Sequence, residues 1–151
     1  MSFLQFLHSL LRWLILFFAI VTIVNSVSGM SGTKPFTGRN KKIAMLLMIC
    51  CDIQLLLGLG LYFMGGWWTA LTSGTAMTNK VSRFFSVEHT FGMLVAIILI
   101  HLGYAATKKN IGDSSKFKRL FWFTLVALLI ILGTIPWPGR EMIGRPWFRA
   151  M

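Results

Sequence analysis

Among the residue types that bind metals or move protons, this 151-residue chain holds three histidines, two cysteines and four acids. His8 and His89 fall near the start of the first and third of four apolar segments. Alternate helices of an up-and-down bundle run in the same direction and face each other across its diagonal. Two imidazoles at one depth on that diagonal could hold a metal ion between trans nitrogens. Cys50 and Cys51 are adjacent. Neighbouring side chains on a helix point apart, so this pair predicts neither a disulfide nor a metal clasp.

The elements that must position the histidines are apolar runs of bilayer-crossing length. They cover Phe3–Val27, Ile43–Met64, Phe84–Ala106 and Leu120–Trp137, where about 20 residues suffice to span a membrane. Arg12, Asp52 and Glu88 are the charged side chains inside them. A soluble bundle would carry a polar stripe along each helix, and these segments do not. The expectation is an all-α, integral membrane, up-and-down four-helix bundle forming one domain over residues 1–151. Pro35 and Gly38 keep the first loop irregular, Gly65–Gly66 ends the second segment, and Ile135-Pro136-Trp137-Pro138 ends the fourth. Thr69–Val81 reads as a polar outward loop, and the tail Arg140–Met151 as a basic, aromatic strip along the outer membrane surface.

The net charge of +11 is distributed as in membrane proteins, without the basic stripe that nucleic acid would require. Lys34, Arg39, Lys41 and Lys42 flank the first connection; Lys108, Lys109, Lys116, Lys118 and Arg119 flank the third. Lys80, Arg83, Arg140, Arg145 and Arg149 lie toward the other side. The excess places the two loops in the cytoplasm and both termini outside. No basic segment precedes the first apolar run, so that run is expected to remain as a helix rather than be cleaved as a signal peptide.

Depth follows from a rise of about 1.5 Å per residue, which puts His8 about 10 Å and His89 about 9 Å outward of the midplane. At matching depth the second helix presents Gly60, with Gly58 slightly deeper, and the fourth presents Gly133. Neighbouring helices pack about 8–10 Å apart, leaving the diagonal wide enough for two imidazoles and an iron. A porphyrin would extend toward the glycines, and Gly92 would remove further bulk beside His89. Glycines also serve plain helix packing, the competing explanation. His101 lies about 18 Å further along the helix than His89 and cannot share its ligand; an interhelical hydrogen bond is its expected role. Met93 is expected to pack near the ligand. Arg12, one turn deeper than His8, is expected either to pair with Asp52 or Glu88 or to hold an acidic group of a cofactor.

At His8-Ser9-Leu10-Leu11-Arg12-Trp13, Gln54-Leu55-Leu56-Leu57-Gly58, Arg83-Phe84-Phe85-Ser86-Val87-Glu88-His89 and Ile135-Pro136-Trp137-Pro138, the chain resembles the small four-helix, cytochrome-b-like membrane proteins of Bacteroidota. The resemblance spans nearly the whole chain and implies a b-type heme with His8 and His89 as ligands. No Cys-x-x-Cys-His motif is present, so the heme would be non-covalent. The expectation is a bacterial inner-membrane electron carrier, with a quinol and a membrane or periplasmic redox protein as partners. The rival is a cofactor-free accessory subunit of a larger membrane complex. A transporter would need more polar residues along a continuous path. No nucleophile–base set or phosphate loop suggests catalysis by the chain alone.

Overall fold

The computed structural model describes residues 2–148, without the side chain of Ser2. Five helices run in the order α1 (Ser2–Gly29), α2 (Gly38–Met64), the short α3 (Trp67–Thr72), α4 (Lys80–Thr107) and α5 (Asp113–Thr134). No strand occurs among the described residues. The four longer helices are long and apolar enough to cross a membrane. Their apolar exterior, including Phe17, Val24, Leu56, Phe91 and Leu129, fits contact with lipid.

The helices extend beyond their apolar runs, because backbone hydrogen bonding continues until a residue stops it. α2 starts at Gly38 rather than Ile43, after Thr37, whose N–H donates to Asn40 Oδ1 at 3.0 Å. α5 begins at Asp113, so Lys116, Lys118 and Arg119 belong to a helix and not to a loop. It ends at Thr134, short of Trp137, because Ile135 turns extended before Pro136, as a residue preceding proline prefers. The segment expected as one polar loop contains most of α3, a 3-10 turn at Thr75–Met77 and the first two residues of α4.

Neighbours around the bundle are α1–α2, α2–α4, α4–α5 and α5–α1, which puts α1 and α4 on one diagonal. Ala19, Ala96 and Ala127 are almost wholly buried among Ile15, Leu47 and Ile131, and such small residues let membrane helices approach closely. The α4–α5 seam is the tightest and the α2–α4 seam the loosest. At the loop end, Gly29 admits the ring of Phe117, which lies where a side chain at that position would have to go. Asp113 Oδ2 accepts from Phe36 N–H at 2.9 Å, joining the two connections there.

The tail does not run along an outer surface. It folds back on the bundle, where Trp147 lies 6.0 Å from Trp13 and 5.5 Å from Trp137 between ring centres. The Trp147 carbonyl accepts hydrogen bonds from Arg12 Nη2 at 2.6 Å and Trp13 Nε1 at 3.3 Å. Donors on α1 thereby gain an acceptor in the tail. Arg149 and Met151 lie outside the described residues.

Candidate functional site

His89 is aimed by an irregularity in its own helix. Phe84–Glu88 forms a π-helical turn, with His89 N–H donating to Phe84 O and Thr90 Oγ1 to Phe85 O. Tyr62 on α2 ties this wide turn down by donating its hydroxyl to Ser86 O at 3.0 Å. Such turns shift the residues that follow around the helix and recur at functional sites. Here His89 faces inward, while the neighbouring Arg83–Glu88 pair, 2.7 Å apart, stays exposed. His89 Nδ1 lies 2.8 Å from Thr134 O on α5. A carbonyl only accepts, so Nδ1 carries the proton and Nε2 keeps its lone pair, the tautomer a metal ligand needs.

His8 comes from across the diagonal. Gln54 Nε2 donates to the His8 carbonyl at 2.9 Å. The imidazole lies over Gly58, where a Cβ would stand 3.3 Å from its Cε1. The two histidine ring centres are 6.3 Å apart and their planes are inclined at 62°. Metal–nitrogen bonds of about 2 Å on each side, plus roughly 1 Å from each nitrogen to its ring centre, put two imidazoles sharing one ion about 6 Å apart. The spacing fits. Among the described residues no hydrogen bond occupies Nε2 of either ring.

A cavity of about 230 Å³ adjoins both rings, walled by Leu55, Gly58, Met93, Leu94, Ile97 and Ile131 among others. Leu59 and Leu94 line it and are also exposed on the outer face. The cavity therefore opens sideways through the α2–α4 seam. It is smaller than the roughly 300–1,000 Å³ of typical ligand pockets, so a porphyrin would need that lateral opening for part of its ring. His8 Nδ1, Arg12 Nε and Gln54 Oε1 are buried without partners on residues of this wall. Three such orphans around one cavity are unusual for a finished core.

Among the described residues Arg12 pairs with no acid. Asp52 is engaged by His101 and Glu88 by Arg83. The guanidinium instead donates to Trp147 O and sits 5.1 Å from the centre of the Trp13 ring. The nearest acids have the wrong height or face, and a backbone carbonyl from the tail takes their place. Arg145 also lines the cavity, its guanidinium 4.9 Å from the Phe85 ring centre. Two cations thus border the cavity.

The layer differs in detail from the sequence expectation. His8, Gly58, His89 and Thr134 share it, each about 20 residues, or 30 Å, from the opposite end of its helix. Gly60 packs on Leu4 and does not line the cavity. Gly92 is a crossing point, where a Cβ would meet Thr134 Cγ2 at 2.6 Å. Gly133 faces open space outside the bundle. Gln54 and Tyr62, with Gly58 between them at steps of four, form one face of α2; that spacing is the sequence signal for both. No signal in the sequence points to the Thr134 carbonyl.

Among the described residues no group of three or more histidines, cysteines or acids could hold a metal ion. Two histidines alone do not make a shell for a bare ion. They suffice where a macrocycle supplies the other ligands. No family model, curated protein or solved structure matches the chain.

Proposed function

We propose that the protein is a membrane electron carrier that holds one low-spin heme b between His8 and His89. The observation that carries this is the pair of imidazoles from diagonal helices, 6.3 Å apart, with the His89 tautomer fixed by Thr134. The resemblance to cytochrome-b-like proteins points the same way. When bound, the heme supplies a one-electron couple near the terminal end of the bundle. His8 and His89 would be the two residues that hold the heme iron, and with both engaged no position would remain for oxygen or substrate, which favours electron transfer over catalysis. Gly58 keeps space beside the His8 ring. Arg12 and Arg145 are placed to hold acidic groups of the ligand, and Leu55, Met93 and Ile97 exclude water. Gly60, Gly92 and Gly133 do not line the cavity.

The excess of basic residues at the loop end favours the cytoplasm for those loops and the outside for both termini, which in a bacterial inner membrane is the periplasm. A quinol in the bilayer and a membrane or periplasmic redox protein are the partners this placement suits, alone or within a larger respiratory complex. A reduced-minus-oxidised spectrum of protein purified from heme-replete cells, with extraction of the porphyrin, tests the assignment. The expected result is stoichiometric, extractable heme b with a low-spin spectrum. Protein that stays colourless after heme addition would leave the cofactor-free accessory subunit as the better account.

A further inference from the structure

About three turns beyond His89, α4 carries a second histidine with a different partner. His101 Nδ1 lies 2.9 Å from Ile97 O, and its Nε2 lies 3.2 Å from Asp52 Oδ1 on α2. The carbonyl can only accept, so Nδ1 carries a proton. Nε2 and Oδ1 would repel if both presented lone pairs, so one further proton lies between them. Whether written as imidazolium–carboxylate or imidazole–carboxylic acid, the pair has no net charge, the form a membrane interior tolerates best.

The pair is nevertheless open to the outside. The His101 and Asp52 side chains are 43% and 44% exposed, and Asp52 Oδ2 has no hydrogen-bond partner among the described residues. Asp52 lies near the middle of α2, about 20 Å from either end. Charged lipid headgroups stay in the interfacial regions outside a hydrocarbon core of about 30 Å. A ligand that reaches this depth must be mainly apolar and carry a small hydrogen-bond donor. The approach is apolar too. Ile53 and Leu56 on α2 and Ile98 and Leu102 on α4, within one turn of the pair along the chain, all expose apolar side chains.

We propose that Asp52 and His101 form the headgroup site of a bilayer-soluble hydroquinone, whose ring hydroxyl donates to Asp52 Oδ2 while its apolar body lies along the lipid-facing side of α2 and α4 beside the pair. This gives a position to the quinol partner named above. It rests on that partner assignment and does not depend on the iron.

Full-length protein in phosphatidylcholine nanodiscs is titrated with heptyl-hydroxyquinoline N-oxide, a fluorescent hydroquinone analogue quenched on binding. Saturable binding is expected. Loss of the accepting carboxylate predicts at least about tenfold weaker binding to Asp52→Leu and a smaller loss in Asp52→Asn, whose amide oxygen still accepts. The O-methylated probe, which has no hydroxyl to donate, should weaken by a similar factor on the unaltered protein. Ile98→Trp, exposed one turn before His101 and outside the cavity, should also reduce binding, so the test survives misfolding of either pair variant. Absence of saturable binding, or undiminished binding to both pair variants, overturns the proposal. So does a change from two copies to one per nanodisc in Asp52→Asn without probe binding, which would make the pair an interface between copies. Colourless protein that binds the probe removes the heme and keeps this site; heme-loaded protein that ignores the probe does the reverse.

Discussion

α4 carries two histidines in similar local surroundings that end in different chemical situations. Each gives Nδ1–H to a backbone carbonyl. His89 gives it to Thr134 on the neighbouring α5, and His101 gives it to Ile97 on its own helix. Pinned from another helix, the His89 ring turns into the bundle, where its Nε2 is free and His8 stands opposite. Pinned along its own helix, the His101 ring lies at the outer seam, where Asp52 takes its Nε2. Capacity to bind a metal is decided by what occupies the second nitrogen, and that depends on which element holds the first.

The largest expected effect separates the two histidines directly. His8→Ala and His89→Ala should each abolish low-spin heme, because each removes one of two axial ligands. His101→Ala should leave heme per folded protein unchanged. Heme content measured as the pyridine complex, beside far-UV circular dichroism, checks this. Loss of heme in His101→Ala with retention in His8→Ala would move the site to the wrong end of the helix and end the comparison.

How much of this was legible in the sequence follows the same division between height and direction. Apolar run length gave the four spanning helices, and rise per residue put His8 and His89 in one layer. Height is additive along a helix and survives small errors in its ends. Direction does not, since each residue turns the helix by about 100°. Gly60 and Gly133 therefore lie near the right depth but on the wrong faces, and Gly58 is the glycine under His8. The partners of Arg12 and His89 were invisible for another reason. Both are backbone carbonyls, of Trp147 and Thr134, and every residue type supplies one. The π turn before His89 leaves no compositional mark either.

The glycines sharpen the contrast between the inside and outside of the layer. Gly58→Leu would push a branched side chain into the His8 ring, already 3.3 Å from the first added carbon. Overpacking of this kind costs about 1–3 kcal/mol, enough to lower heme occupancy roughly tenfold. Gly133→Leu meets open space and should leave occupancy unchanged. Equal heme content in the two variants would sever Gly58 from the site.

Arg12→Gln tests the enclosed side of the same contrast. It removes a charged donor from Trp147 O, where Trp13 Nε1 remains as the weaker partner at 3.3 Å. Hydrogen bonds involving a charged group contribute about 1.5–3 kcal/mol, so thermal unfolding in detergent should shift down and proteolysis near Arg145 should quicken. Unchanged stability and proteolysis would mean that the aromatic cluster of Trp13, Trp137 and Trp147 holds the tail without Arg12.

The smallest effect is expected at the outer pair. In Asp52→Asn the amide can donate N–H to the lone pair on His101 Nε2, so a hydrogen bond between α2 and α4 persists without the shared proton. What is lost is charge assistance between two side chains that are each more than two-fifths exposed. Side-chain hydrogen bonds between membrane helices contribute on average about 0.6 kcal/mol, and thermal unfolding followed by tryptophan fluorescence should shift only slightly. A loss above about 3 kcal/mol, the scale seen when one member of a buried pair is removed, would mean that the pair is enclosed between helices rather than open to lipid. His101 would then resemble His89 in its burial, and the difference between the two histidines would reduce to the identity of their partners.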